Sequence, residues 1–350
     1  MQYVDVGATK KISKIGLGTH QIAANTWGYG ERYVAQEVDA IVSRALELGV
    51  TLFDTSETYG YKAGRIVGRG VIKGVAFRDT AEIGGFGQGE QILGQALHGN
   101  HESAFLATKF YPTMPAAPVT EQHAVASANR LGVRYIDLYQ VHQPPGMAPR
   151  SAIMRGLRAV SQAGLIHEVG VSNASLDRWR AMEQALGSRV LSNQIGYSLV
   201  NRSAERDLLP FAESHSRLII AYRPLEMGLL SGKYQHGNRP TGMLRSSHPL
   251  FLPENLDRAG HLIGILREVA AAHSATAAQI ALAWVIRHPA VAAIPGASSV
   301  EQLESNVAAT DIELTDEEYH ALKVASARFH PVPGPGFISR QIRAAFRPRR

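Results

Sequence analysis

Short apolar runs alternate with amphipathic stretches along nearly the whole chain. The runs at 14–17, 51–54, 105–108, 136–141, 168–171, 191–194, 218–222 and 291–294 have the length of strands buried in a parallel sheet. Apolar positions recur at helical spacing over 36–48, 121–131, 153–163, 176–186, 205–214 and 262–273, with further helices predicted at 277–287 and 300–309. Eight strands with helices between them predict an α/β fold, a (β/α)8 TIM barrel. Residues 2–6 and 10–12, around Gly7-Ala8-Thr9, predict an N-terminal hairpin placed to plug the bottom of that barrel. The connections 60–89 and 223–260 predict long loops at the C-terminal face of the strands. A doubly wound sheet is the rival, but Gly16-Leu17-Gly18-Thr19-His20-Gln21 misses the third glycine of the dinucleotide fingerprint.

Composition narrows the function classes. With 350 residues, 45% hydrophobic, the chain has enough apolar surface for one large domain, expected over 1–329, followed by a tail at 330–350. The absence of cysteine excludes disulfide scaffolds, thiolate metal sites and cysteine nucleophiles. His98 and His101 lack a third ligand at workable spacing, so no metal site is expected. With neither a secretory pattern at the start nor an apolar run of ~20 residues, a cytoplasmic protein without stable membrane insertion is expected. The net charge of +6 is concentrated in two places: five arginines in 330–350, and five basic against two acidic residues in 61–86. The rest is slightly acidic, which argues against a nucleic-acid partner.

Four polar residues fall at or just after strand ends: Asp54, Tyr59, Lys109 and His142. In a barrel such positions meet at the active-site mouth. A phenol transfers protons poorly near neutral pH unless its anion is stabilised, which a nearby ammonium would do. An aspartate would in turn hold that ammonium in place. Read singly, the same residues are a cap, a turn tyrosine, a surface lysine and a core histidine. Asp54 and Glu57 also suggest a paired-carboxylate hydrolase, but three residues apart on one turn they are poorly placed to flank a bond.

Phe53-Asp54-Thr55-Ser56-Glu57-Thr58-Tyr59-Gly60, Ala107-Thr108-Lys109-Phe110 and Asp137-Leu138-Tyr139-Gln140-Val141-His142 resemble the catalytic segments of the aldo-keto reductases. Further matches follow in order: Gly16-Leu17-Gly18-Thr19, Gly170-Val171-Ser172-Asn173, Asn193-Gln194, Gly228–Tyr234 and Ile294–Asn306. The resemblance covers about residues 1–325 and implies a TIM barrel that binds a nicotinamide cofactor without a Rossmann fold. It implies NADPH-dependent reduction of a small aldehyde or ketone to an alcohol, by a monomer or homo-oligomer. Tyr59 would be the general acid, Lys109 held by Asp54 would lower its pKa, and His142 would polarise the carbonyl. Ser172, Asn173 and Gln194 would hold the nicotinamide carboxamide, with Tyr222 stacked on the ring. Gly18, Thr19, Asp54, Pro224 and Leu225 would complete that side. Gly296, Ser298, Ser299, Gln302 and Asn306 would receive the adenine side, where a glycine turn opening a helix offers N–H groups to phosphate. NADP(H) is favoured and NAD(H) is possible, although no Arg or Lys lies between Pro295 and Glu304. The serine-lined turn also resembles NADP(H)-binding β subunits of potassium channels, which makes a regulatory subunit with little turnover the alternative.

The chain departs from the family pattern at two sites and in its tail. Relatives pass from Tyr-Gly to Ser-Glu-x-x-Leu-Gly within a few residues, whereas here an insertion at about 61–86 precedes Glu90-Gln91-Ile92-Leu93-Gly94. Arg223 stands where the family commonly has serine, either reaching a cofactor phosphate or anionic substrate group or pointing outward. In the tail, Ile338, Ile342 and Phe346 with intervening arginines predict a basic amphipathic helix that packs on the barrel or frays. Deleting residues 62–86 is expected to change the ratio of kcat/KM among carbonyl substrates with cofactor affinity unchanged. Identical kinetics for every substrate would mark the insertion as surface decoration.

Overall fold

Each of the eight predicted runs contributes a strand: β3 (Leu17–Gly18), β4 (Leu52–Asp54), β5 (Phe105–Phe110), β6 (Ile136–Val141), β7 (Ile166–Ser172), β8 (Ser192–Gly196), β9 (Leu218–Tyr222) and β10 (Val291–Ala293). Two preceding strands, β1 (Tyr3–Val4) and β2 (Ile12–Ser13), pair antiparallel as the predicted hairpin. The computed structural model describes residues 1–22, 31–60, 87–112, 114–143, 150–241 and 243–333. The insertion at 61–86 and the amphipathic tail beyond 333 lie outside the described residues.

β3 to β10 form one parallel sheet in chain order. Its edges also meet. Gly16 N–H donates to Ala293 O at 2.8 Å, and Ala293 N–H donates to Lys14 O at 2.7 Å. This curled sheet with alternating helices is consistent with a (β/α)8 barrel.

Strand periodicity sorts the apolar residues into two clusters. Leu52, Phe105, Ala107, Leu138, Leu218, Ile220 and Ala292 form an inner cluster, joined by Val4, Val6 and Ile12 of the hairpin segment. Their intervening neighbours Phe53, Leu106, Tyr139, Ile219, Ala221 and Val291 belong to a second cluster with the helices. Arg189 ties the hairpin in place, donating to the carbonyls of Val6 at 3.0 Å and Gly7 at 2.8 Å.

The helices are α1 (Glu31–Glu47), α2 (Gln88–Ala96), α3 (Ala117–Leu131), α4 (Arg150–Gln162), α5 (Leu176–Leu186), α6 (Leu208–Ser214), α7 (Met243–Ser246), α8 (Pro253–Ala272), α9 (Ala277–Ile286), α10 (Val300–Ala308) and α11 (Asp316–Ala327). Several begin away from the predicted position. α3 and α8 start earlier because Pro118 and Pro253 fit the first helical turn, where no N–H partner is needed. α6 starts later because Ser203–Arg206 form a separate 3-10 turn. Thr276 with Gln279 and Thr315 with Glu318 make reciprocal capping boxes before α9 and α11. Among the described residues no single helix is long and apolar enough to cross a membrane.

Gly94 lets α2 approach the end of α3, since a Cβ there would lie 2.4 Å from Leu131 O. Gly94→Ala is therefore expected to destabilise the fold by about 1–3 kcal/mol through overpacking. The check is the midpoint of chemical denaturation, which should fall.

Candidate active site

The inner face of the sheet turns from apolar to polar toward the strand C-termini. Asp54 follows Leu52 on β4, Lys109 follows Ala107 on β5, and Gln194 follows Ser192 on β8, each at the same two-residue period. Lys109 Nζ, without exposed surface, donates to Asp54 Oδ1 at 2.7 Å, Asp54 Oδ2 at 2.9 Å and Thr55 O at 2.8 Å. Gln194 Nε2 donates to Asp54 Oδ2 at 2.7 Å. Burial alone would drive the Lys109 ammonium toward neutrality, but Asp54 and Tyr59 overturn that and hold its pKa above the usual lysine value.

Tyr59 sits in the turn after β4, where its N–H donates to Ser56 O at 3.0 Å. Lys109 Nζ lies 5.0 Å from the centre of its ring. His20 meets the ring edge-on at 4.8 Å, and the His142 ring centre is 6.3 Å away. Burial raises the Tyr59 pKa, and the Lys109 ammonium opposes this only in part, while Asp54 reinforces it. Lys109 thus lowers the Tyr59 pKa as expected, but burial outweighs it and the phenol is held in its protonated form. The His142 pKa is pushed down to about 3 by burial, Lys109 and His20, so its imidazole is neutral at physiological pH. His142 Nδ1 lies 3.1 Å from Ser56 Oγ and 3.3 Å from Thr58 Oγ1.

Tyr59 and His142 line a cavity of about 660 Å³, within the range of small-ligand sites. The cavity brings together Gly18, Asp54, Ser172, Asn173, Gln194, Tyr222, Arg223, Pro224, Leu225, Gly296, Ser298, Gln302 and Asn306. Near the phenol, Tyr222 O–H donates to Asn173 Oδ1 at 2.9 Å, and Asn173 Nδ2 donates to Ser172 Oγ at 3.0 Å. At the turn before α10, Ser298 donates to Gln302 Oε1 from its N–H at 3.0 Å and its hydroxyl at 2.8 Å. Three predicted residues do not line the cavity. Lys109 lies behind Asp54. Thr19 is buried with its N–H and hydroxyl donating to Asp54 O at 3.0 and 2.9 Å. Ser299 is the N-cap of α10, its hydroxyl accepting from Gln302 N–H.

Glu57 faces away from Asp54. One of its oxygens accepts from Tyr111 N–H at 2.7 Å, and the other is 2.7 Å from His123 Nδ1. The paired-carboxylate reading therefore fails geometrically.

Sequence reasoning missed His20, Gln21, Met227, Ser231, Lys233 and Arg245, which also line the cavity. Gln21 and His20 directly follow the Gly18-Thr19 match, and Lys233 lies inside the 228–234 match, so those two stretches carried a signal. Arg245 carried none. The segment after β9 is locally strained: Arg223, Glu226 and Met227 have φ of 51°, 44° and 55°, values that ordinary side chains adopt at a cost of about 1–2 kcal/mol each. Asn173 across the cavity has φ 58°. Glu226 is buried and accepts from Ser198 Oγ at 3.1 Å, which anchors the strained segment.

A (β/α)8-type sheet thus carries a buried lysine–aspartate pair beside a tyrosine and a histidine. The sequence matches the Aldo/keto reductase family over residues 14–327. An uncharacterized oxidoreductase of Mycobacterium tuberculosis is 45% identical over 343 residues, which is 98% of either chain. A methylglyoxal reductase of Escherichia coli is 29% identical over 314 residues, 89% of this chain and 91% of its own. The solved structure of an aldo/keto reductase from Klebsiella pneumoniae in complex with NADP and acetate superposes with a TM-score of 0.68 at 28% identity, covering 94% of this chain and 99% of that one. The chain belongs to the aldo/keto reductase family and is an oxidoreductase.

Asp54→Asn leaves the Lys109 ammonium buried without its counter-charge, and a loss of about 3–5 kcal/mol of folding stability is expected at neutral pH. Burial then lowers the folded pKa of Lys109 below its unfolded value. Between those two values the unfolded chain binds more protons, so stability of the variant rises with pH. Denaturation at neutral pH and at about pH 10 checks this. A deficit that does not shrink would mean that Asp54 acts through packing rather than charge.

Proposed function

We propose that this protein reduces small aldehydes and ketones to alcohols, using NADPH in preference to NADH. The observation that carries the reading is the Lys109 ammonium, bonded to both oxygens of Asp54 and set 5.0 Å from the Tyr59 ring, with Asp54 and Tyr59 lining the cavity in front of it. The lining fits a dinucleotide in kind. Near Tyr59 lie the carboxamides of Asn173 and Gln194 and the Tyr222 ring, the donors, acceptors and flat face that a nicotinamide carboxamide and ring require. Farther along, the turn at Gly296 and Ser298 meets Gln302 and Asn306. That turn lacks a cation of its own, but Lys233 and Arg245 reach the same cavity from the long connection after β9. Hydroxyls opposed by cations are the chemistry that holds phosphate, which supports NADPH. Arg223 lines the cavity too and adds a further cation.

When bound, the nicotinamide supplies the hydride that no side chain can provide. The protonated Tyr59 hydroxyl gives its proton to the carbonyl oxygen as the carbon is reduced, and the Lys109 ammonium stabilises the phenolate left behind. Neutral His142 donates a hydrogen bond to the same oxygen and fixes the carbonyl's orientation. Gln194, bonded to Asp54, couples the nicotinamide end of the cavity to the ion pair. The oxidoreductase relatives favour turnover over a regulatory subunit. The methylglyoxal reductase among them makes α-oxo aldehydes the first substrates to try.

NADPH oxidation against a panel of carbonyl compounds is the test. Tyr59→Phe is expected to lower kcat by about 10²–10⁴-fold with the NADPH Kd unchanged. Cofactor binding by the wild type with no turnover of any carbonyl would overturn the reading, and tighter binding of NADH than of NADPH would overturn the cofactor preference.

A further inference from the structure

Ser56 and Thr58 lie in the turn that carries Tyr59, yet their hydroxyls are aimed at His142. Ser56 is fully buried, and its Oγ stands 3.1 Å from His142 Nδ1, 3.0 Å from Thr58 Oγ1 and 3.1 Å from Lys109 O. It also accepts from Thr58 N–H at 3.3 Å. Thr58 Oγ1 is 3.3 Å from the same imidazole nitrogen. The His142 backbone is held independently, its N–H donating to Phe110 O at 2.9 Å. The hydroxyl pair therefore acts on the ring rather than on the chain path.

A neutral imidazole carries one N–H, and the group met by one nitrogen decides where that proton sits. A carbonyl or carboxylate, which can only accept, would hold the proton on Nδ1. Among the described residues, Nδ1 of His142 meets two hydroxyls instead, and hydroxyls can donate. With the Ser56 proton given to Lys109 O, the Thr58 hydroxyl serves Nδ1. With the Ser56 proton given to Nδ1, the Thr58 hydroxyl serves Ser56 Oγ. Both arrangements give every hydroxyl proton an acceptor and leave the ring proton on Nε2. A ring proton on Nδ1 does so only when it is given to the farther oxygen, Thr58 Oγ1 at 3.3 Å, because Ser56 Oγ already accepts from Thr58 N–H.

We propose that Ser56 and Thr58 are positioning residues that fix the tautomer of His142, with Nδ1 accepting from the hydroxyl pair and Nε2–H presented to the substrate oxygen. The consequence for rate rests on the role proposed for His142 above, whereas the tautomer itself does not. Because Ser56 also bonds to the carbonyl of Lys109, one buried hydroxyl joins the strand end that bears the ammonium, the turn that bears the phenol and the imidazole. The proton donor and the carbonyl-orienting group are thus set by a single turn.

Long-range ¹H–¹⁵N correlation spectra of the ¹⁵N-histidine-labelled protein read the tautomer directly, with the His142 signals among the 14 histidines assigned from a His142→Asn variant. The wild type is expected to show the Nε2–H pattern. Ser56→Ala combined with Thr58→Val is expected to give a mixed or Nδ1–H pattern and to lower kcat/KM by about tenfold to a hundredfold, with the NADPH Kd unchanged. Thr58→Ser, which keeps the hydroxyl, is expected to keep the wild-type spectrum. An Nδ1–H pattern in the wild type overturns the proposal, as does an unchanged tautomer in the double variant. The wild-type spectrum decides even if the double variant fails to fold. Failure of the carbonyl-reductase reading would appear separately, as absence of turnover by a wild type with the Nε2–H pattern.

Discussion

Lys109 buries an ammonium group at the C-terminal end of β5, where an unpaired charge would cost several kcal/mol. Three oxygens at 2.7 to 2.9 Å offset this, two from Asp54 and one from Thr55. Asp54 in turn accepts from Gln194, while its carbonyl receives both the N–H and the hydroxyl of Thr19. The ion pair and its hydrogen bonds therefore tie together β4, β5 and β8, the Asp54 carbonyl adds the residue after β3, and the sheet register has to satisfy them. A one-residue slip of β5 would turn Lys109 toward the helices and Thr108 toward the ion pair. The charge thus limits the pairing alternatives that an all-apolar sheet interior would tolerate.

The turn that carries Tyr59 is held by backbone and side-chain contacts. Within the plane of the sheet Thr55 N–H donates to Ala107 O at 2.9 Å and Glu57 N–H to Lys109 O at 3.1 Å, so pairing continues past the end of β4. On the outer side Glu57 is gripped by Tyr111 and His123, beside an Arg130–Glu90–Thr108 cluster with contacts of 2.6 and 2.7 Å. Burial raises the Glu90 pKa, and Arg130 with Thr108 opposes the shift. Such a connected polar layer stiffens the turn, and stiffness is what a proton donor needs to remain aligned through a reaction.

The opposite wall of the cavity uses another device. The stretch from Arg223 to Met227 keeps non-glycine residues at positive φ, pinned by the buried Glu226 and by Arg245 Nε donating to Met227 O at 3.0 Å. Strain stored there directs Arg223 and Met227 to the cavity. The same long connection brings Lys233 and Arg245 to the cavity.

The alternation of apolar and polar positions was enough to locate all eight strands, and residue type at their ends pointed to Asp54, Lys109 and His142. Both signals are local, because strand periodicity and turn chemistry depend on neighbours a few residues apart. The same locality did not show that the Ser299 hydroxyl caps a helix or that Thr19 is buried against Asp54. It could not give the direction of the Tyr59 pKa, because that depends on how completely the folded chain removes water from the phenol. Nor could it join Lys233 and Arg245 to Ser298, or aim Ser56 at His142, since these groups are far apart in sequence. The amino-acid sequence by itself determined the order of strands and the chemical inventory of their ends. Packing of the curled sheet and its helices decided which groups were desolvated, which faced each other and which shared one cavity, because burial and through-space distance exist only once distant segments have packed.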